Sequence, residues 1–367
     1  MPKRSLANPK ITKPKGYTTM KTKLTDLMLP APVNGGFRMD GYWTWCGSVV
    51  KVDGKYHMFA SRWPKTLPMH PGWLAKSEVV RAVSDTAAGP YIFEEVVLPE
   101  RGAEWWDGRA THNPHITKQG DTFVLYYMGS TNPFQDIQEG ETFDNNHPLT
   151  ISARSNKRVG IATSKSVYGP WKRSDTPMLH PRPEYFDNFF TSNPAPCALP
   201  DGSVNLVYKT RTYATQPYPK FLHGKMHLGV AQAPCFDGPY KAVKNSPLLT
   251  DPKHEIEDPF VWFDEDGFHL IAKDMNGRIC GQQFCGVYAR SDNGVDWEFE
   301  MGAVSYSRDV LWDDGQVRTM GNMERPFILF EEGKPTHMFF ATSDGKGLSG
   351  FMGASDTWNM CIPLRAE

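Results

Sequence analysis

Acidic side chains stand beside a proline in two short motifs far apart in the chain, Glu257-Asp258-Pro259 and Glu324-Arg325-Pro326. Two further acids sit in aromatic, glycine-containing stretches: Asp40 in Arg38-Met39-Asp40-Gly41-Tyr42-Trp43 and Asp107 in Trp105-Trp106-Asp107-Gly108-Arg109. Carboxyl groups gathered from distant positions suit cleavage of a glycosidic bond, where one donates a proton to the leaving oxygen and another activates water or attacks directly. Crowding raises the pKa of one carboxyl group and keeps the donor protonated. Glu324 or Glu257 would be that donor, with Asp258 tuning it, and Asp40 or Asp107 would be the base. Arg109, His112, Asn113, Asn193, Lys209, Lys273 and Arg325 would bind substrate, and Trp43, Trp45, Trp105 and Trp106 offer flat faces on which sugar rings stack.

Residues so far apart need a scaffold that converges, and the chain carries a repeat that supplies one. Each unit opens with a short motif ending in Pro or Gly-Ser, followed by an alternating apolar strand, a glycine-containing turn and an aromatic-rich strand. The openings fall at Gly47, Pro114, Pro194, Pro259 and Pro326, at intervals of about 65 to 80 residues. A strand–turn–strand element follows in the first four units, marked by Gly89-Pro90-Tyr91, Gly169-Pro170-Trp171, Gly238-Pro239-Tyr240 and Asp296-Trp297. Four strands per unit and five units predict an all-β, five-bladed β-propeller. One blade cannot bury both faces alone; radial stacking buries them against neighbours and leaves only short edges. The fifth unit is short, so the apolar tail Thr357–Leu364 or an N-terminal strand should complete the ring. Residues 1–36 read as an N-terminal extension and 37–367 as the propeller.

In such a ring the innermost strands converge on the axis. Their openings read Trp45-Cys46, His112-Asn113, Ser192-Asn193, Glu257-Asp258 and Glu324-Arg325. Buried acids without partners are costly; a hydrated, sugar-sized funnel removes that cost.

Composition narrows the partners. The chain has 367 residues, a formal net charge of -1 and a pI of about 6.8, which gives no electrostatic footprint for nucleic acid or an anionic membrane surface. No apolar run reaches the length of a membrane span. Met1 to Lys23 is basic and lacks the apolar core of a secretory signal, so a cytoplasmic location is expected, with a periplasmic or secreted one the alternative had a signal segment been removed. The six cysteines match no zinc spacing and read as reduced, mostly buried thiols. No cofactor is expected; a propeller axis leaves room for a structural calcium or sodium ion, but no ligand loop is recognisable.

With the blade repeat, Glu257-Asp258-Pro259, Glu324-Arg325-Pro326 and outer strands such as Ser166-Val167-Tyr168-Gly169-Pro170-Trp171, the chain resembles the five-bladed glycosidases of glycoside hydrolase family 43 and its relatives in families 32, 62 and 117. The resemblance covers roughly residues 40–364 and implies an exo-acting, inverting hydrolase of an oligosaccharide or polysaccharide. That family's base aspartate precedes a proline in the first blade, where this chain has Cys46-Gly47. Its pKa-modulating aspartate falls at Asn193, and its acid glutamate matches Glu257, with the same spacing at Glu324. A register rotated by one blade selects Asp107 or His112, Asp258 and Glu324 instead, and both registers stay open. The mannoside phosphorylases of family 130 also share the fold and carry a similar Glu-Asp-Pro motif. There phosphate replaces water, and Arg38, Arg109, Lys209, Arg211, Lys273 and Arg325 would supply cations; Phe260 after the proline departs from that family's arginine. A non-catalytic sugar-binding propeller is the third reading.

Each residue also has a plainer role. Asp258 before proline suits a turn, Asp40 a loop and Asp107 a turn before glycine. Glu324 beside Arg325 suits a structural ion pair, His112 a neutral hydrogen-bond partner, and the tryptophans core packing. Asp264, Glu265, Glu331 and Glu332 fall at turns and read as solvated.

Overall fold

The computed structural model describes residues 23–213, 223–345 and 353–366. Residues 1–22, which hold nearly all of the basic leader, lie outside the described residues. After a single helical turn, α1 (Leu24–Leu27), come five antiparallel blades. Blade 1 holds β1 (Tyr42–Val52), β2 (Lys55–Pro64), a short helical segment α2 (Met69–Lys76), β3 (Glu78–Ser84) and β4 (Ile92–Leu98). Blade 2 holds β5 (Ala110–Gln119), β6 (Thr122–Ser130), α3 (Pro148–Ser155), β7 (Arg158–Ser164) and β8 (Lys172–Arg173). Blade 3 holds β9 (Phe190–Ala198), β10 (Val204–Tyr213), β11 (His223–Ala233) and β12 (Lys241–Ala242). Blade 4 holds β13 (Ile256–Asp264), β14 (Gly267–Asp274), β15 (Gly286–Ser291) and β16 (Glu298–Phe299). A small hairpin, β17 (Asp309–Leu311) and β18 (Val317–Thr319), precedes blade 5, made of β19 (Asn322–Glu331), β20 (Lys334–Ser343) and β21 (Thr357–Pro363). The first strands touch in sequence order and β19 touches β1, so the ring closes with five blades, as the repeat predicts.

Local chemistry sets the hairpins. Val52 pairs with Lys55 across a two-residue turn, and Asp53 and Gly54 both adopt positive φ, as the twist of a tight hairpin requires. Gly-Pro recurs in cis at Gly89-Pro90, Gly169-Pro170 and Gly238-Pro239, once in each of the first three blades.

One irregularity repeats in all five inner strands. Cys46, Asn113, Asn193, Asp258 and Arg325 adopt left-handed backbone with φ of 58°, 55°, 47°, 57° and 51°. At each, the pairing register with the second strand of the blade shifts. Gly47 or a proline follows inside the shift, where a missing N–H forfeits no ladder bond. Asn and Asp tolerate this conformation; Cys46 and Arg325 hold it at a cost of about 1–2 kcal/mol each. The bulge re-aims five side chains at one point on the axis.

Apolar side chains fill the spaces between blades. Phe59 and Val79 meet Leu125 and Tyr127 between blades 1 and 2. Tyr126 and Val159 meet Leu206 and Tyr208 between blades 2 and 3, and Val207 and Val230 meet Val261 and Leu270 between blades 3 and 4. The largest cluster joins blades 4, 5 and 1 and takes in Leu24, Leu27, Ala31 and Phe37. Residues 24–37 run along this seam. Met28 pairs with Leu364, Ala31 with Trp312 and Phe37 with Asn359. The tail strand thus supplies the third strand of blade 5, and the chain's early segment covers its edge.

Asp264 departs from the solvated reading. It is the last residue of β13, is buried, and sits 2.8 Å from His269 Nε2 on the returning strand. Glu331 is partly covered and pairs with Lys51 at 2.8 Å. All six cysteines are free, and only Cys235 is exposed. Among the described residues no helix is long and apolar enough to cross a membrane.

Candidate active site

The five re-aimed side chains form a hydrogen-bonded ring around the axis. Cys46 Sγ donates to Asn113 Oδ1 at 2.7 Å, Asn113 Nδ2 to Asn193 Oδ1 at 2.7 Å, and Asn193 Nδ2 to Asp258 Oδ1 at 2.5 Å. The Arg325 backbone N–H donates to Asp258 Oδ2 at 3.2 Å, and its guanidinium lies beside the Cys46 thiol, closing the circle. Burial keeps Cys46 a thiol, with its pKa pushed well up despite Arg325. Just beyond the ring, His115, Phe260 and Phe327 pack together with ring centroids 5.3–5.6 Å apart. This aromatic cluster packs on the axis two residues along the inner strands from the ring. A cavity at the ring holds about 340 Å³.

Residues one position before the ring line the pocket wall: Trp45, His112, Glu257 and Glu324. Ser192, the fifth, is buried and donates to Asn193 Oδ1 at 2.6 Å. Lys273, on β14 directly opposite Glu257, ties blades 4 and 5 together. Its Nζ lies 2.6 Å from Glu257 Oε1, 2.6 Å from Glu324 Oε1 and 3.9 Å from Asp258 Oδ2. Lys209, from β10, makes a second contact with Glu257. Burial pushes the Glu257 carboxyl up, but Lys209 and Lys273 together override it and hold it ionised, well below the usual carboxylate range. Glu324 goes the other way. Burial raises its pKa, Lys273 opposes, and the charges of Asp258 and Glu257 add to the rise. Two glutamates sharing one lysine are thereby split into a fixed anion and a group disposed to hold a proton. Asn322 Nδ2 donates to Glu324 Oε1 at 3.0 Å and steadies it.

His112 faces this pair from blade 2. Ser77 Oγ gives its proton to the Thr111 carbonyl at 2.9 Å, so it can only accept from His112 Nδ1, 2.8 Å away. That hydrogen bond favours the tautomer with the proton on Nδ1, with Nε2 3.9 Å from Cys46 Sγ. Burial, aided by Arg325 and Lys157, keeps it neutral with a pKa well below 6.5. Trp73 stacks on its face at 4.8 Å.

The helical insertions α2 and α3 complete the wall with residues that no sequence motif singles out. They pack on each other through Leu74, Ala75, Leu149 and Ala153. They bring His70, Trp73 and Arg154 to the cavity, and Lys157 follows at the start of β7. Arg211, singled out only as a phosphate-binding cation, lines the same side from β10. These cations come from insertions and strand ends that break the repeat, which is why no periodic signal marks them.

Of the substrate-binding residues expected from sequence, Trp45, His112, Asn113, Asn193, Lys209, Lys273 and Arg325 line the cavity, with Glu257, Asp258 and Glu324. The others do not. Asp40 is exposed in the turn before β1. Asp107 is fully buried inside blade 2, 2.5 Å from Arg101, and accepts a hydrogen bond from Tyr127 at 2.6 Å. Blade 3 repeats this staple with Asp187, Arg182 and Tyr208, so Asp107 serves the blade. Trp43 donates to the Leu67 carbonyl and holds the loop before α2. Arg109 pairs with Glu100 at 2.6 Å, and Arg38 with Asp356. Trp105 lies under the Arg101 guanidinium and Trp106 stacks on Tyr127.

Glu257, Asp258 and Glu324 offer oxygens within 4.8 Å of one another, a spacing that could hold a cation. The Lys273 ammonium already stands among them and supplies that positive charge.

No protein-family model matches the chain, and no curated protein does. Solved structures match along nearly its whole length. Zg3597, a family 117 glycoside hydrolase from the marine bacterium Zobellia galactanivorans, is 15% identical over 92% of this chain and 89% of its own, with a TM-score of 0.60. BT0996, solved as an RGII complex, is 13% identical over 92% of both polypeptides, with a TM-score of 0.65. A thermostable family-43 glycoside hydrolase is 11% identical over 92% of this chain and 96% of its own, with a TM-score of 0.59. The chain shares the five-bladed propeller of these proteins.

Proposed function

We propose that this protein is a glycoside hydrolase that removes a terminal sugar from an oligosaccharide or polysaccharide. Glu324 donates the proton to the leaving oxygen, and His112 Nε2 takes the proton from the attacking water. The observation that carries the reading is the Lys273 bridge, which holds Glu257 as an anion, while burial and the charges of Asp258 and Glu257 raise the pKa of Glu324 against the opposing pull of Lys273. Asp258 anchors the axial ring and raises Glu324 further. Propeller glycoside hydrolases share the fold over nearly the whole chain. The packing of His115, Phe260 and Phe327 on the axis supports action on a chain end, since it leaves no path for a polymer to thread along the axis.

Inversion rests on His112 as the base. The three acids lie closer together than the roughly 6.5–9.5 Å of an inverting carboxylate pair and nearer the roughly 5–5.5 Å of a retaining one, so inversion requires a base other than these acids. Glu257 is tied to two lysines and is poorly placed to attack as a nucleophile. Water, activated from the blade 2 side by His112, remains the attacking group.

Hydrolysis of a panel of aryl glycosides tests the proposal, with the product anomer read by NMR. Free sugar of inverted configuration, lost in Glu324→Gln, is expected; full turnover in Glu324→Gln overturns the donor assignment. Phosphorolysis is a second reading, favoured by three cavity cations that form no ion pair with a carboxylate among the described residues. Turnover that requires phosphate would establish it.

A further inference from the structure

The cavity wall carries six cationic side chains and three acids. The acids are satisfied by Lys209, Lys273 and the axial ring with Arg325. That leaves Arg154, Lys157 and Arg211, which form no ion pair with any described carboxylate.

Lys157 is the most telling. It is 4% exposed and lines the cavity, and among the described residues its ammonium has neither a hydrogen-bond acceptor nor an ion-pair partner. Aromatic faces take their place, with Phe190 3.6 Å from Nζ and Trp73 5.6 Å away. Burying an unpaired ammonium is costly unless something else compensates it. Among the described residues Arg154 and Arg211 hydrogen-bond only to neutral groups, with Glu257 and Glu255 attracting Arg211 at longer range. Arg154 Nη2 donates to Asn145 Oδ1 at 2.8 Å, and Arg211 Nη1 contacts His223 Nδ1 at 2.7 Å and the Gly224 carbonyl at 2.8 Å. Burial lowers the pKa of all three. Repulsion from Arg211 adds to this at Arg154, lowered to about 10, and at Lys157 repulsion from Lys209 and then from both arginines adds to it, with only Glu257 opposing. A bound oxyanion offsets burial and repulsion together, and guanidinium forks match its geometry.

We infer that Arg154, Lys157 and Arg211 form an oxyanion subsite within the sugar pocket. The anion has two sources of the same chemistry: a carboxylate or sulfate group on the recognised sugar, or inorganic phosphate. The inference rests on the glycosidase reading only for the sugar that would sit beside it.

Calorimetric titration of the full chain tests it without turnover. The probes are glucuronate, galacturonate and galactose 6-sulfate, their neutral parents glucose and galactose, and inorganic phosphate. At least one anionic probe should bind roughly tenfold or more tighter than its neutral counterpart. Lys157→Met, which keeps the apolar stem, and Arg154→Gln should each erase that margin, while melting curves show both variants folded. An acidic sugar binding tightly places the anion on the substrate; phosphate alone binding assigns the subsite to a free oxyanion. Equal affinity for anionic and neutral probes, or a margin that survives in both variants, overturns the inference. Binding of acidic sugars without any hydrolysis would keep the subsite and remove the catalytic reading. Hydrolysis confined to neutral glycosides, with no anion bound, would do the reverse.

Discussion

The ammonium of Lys273 stands 2.6 Å from Glu324 Oε1, yet the Glu324 carboxyl is pushed above its ordinary pKa. Burial and two neighbouring acids outweigh one cation that Glu324 must share with Glu257. The consequences can be measured one residue at a time.

Glu324→Gln removes the proton donor and keeps the shape. Turnover should fall about 10²–10⁴-fold. In the parent, activity should decline as pH rises through the elevated Glu324 pKa, because the donor form is lost. That alkaline limb should vanish in the variant. Persistence of the limb would assign it to another group.

Lys273→Met leaves three buried acids without their common cation. Breaking a buried pair in this way typically costs about 3–5 kcal/mol. Denaturant unfolding should show a loss of that order, together with loss of activity. A variant as stable as the parent would mean that solvent or an ion compensates the acids.

His112→Asn should lower turnover by about 10²-fold or more while leaving sugar affinity nearly unchanged. Ser77→Ala frees the Nδ1 side and should cause a smaller loss through mixed tautomers. Full activity in His112→Asn would move the base elsewhere.

Asp107→Asn is the contrasting case. Arg101 loses a buried partner, so the melting temperature should drop, while the folded protein should turn over at the parental rate. Reduced turnover with unchanged stability would return Asp107 to the chemistry.

Binding of an oxyanion beside Lys157 should be accompanied by proton uptake. Burial, with Lys209, Arg154 and Arg211, holds the free ammonium well below its ordinary pKa, and only Glu257 opposes them. An anion raises that pKa, so uptake should grow as pH rises above the depressed value. Titrations in buffers of different ionisation enthalpy would detect it. Uptake unchanged in Lys157→Met would locate the proton on another group.

The blades were legible because each inner strand opens with the same chemistry: a residue held at positive φ, then Gly47 or proline. The same repetition placed Glu257, Asp258 and Glu324 on the axis. Repetition also held a warning that was easy to miss. Glu104-Trp105-Trp106-Asp107 and Glu184-Tyr185-Phe186-Asp187 are two copies of one pattern in adjacent blades, so their aspartates do the same structural work. Lys157 and Arg154 could not be found this way. They reach the cavity through α2–α3 packing, which depends on contacts between insertions. Asp264 read as a turn acid because its burial comes from His269 across the hairpin, a pairing that only the register defines.

The seam between residues 24–37 and β21 has a consequence for biogenesis. Residues 24–37 are made before every blade, yet two of their partners, Asn359 and Leu364, lie on or beside β21, the last strand of the ring. Throughout synthesis the apolar Leu24, Leu27 and Phe37 wait uncovered while four blades assemble behind them. Ring closure therefore follows the synthesis of β21 and joins the first and last elements of the propeller, and synthesis stalled before β21 would leave that seam open to aggregation.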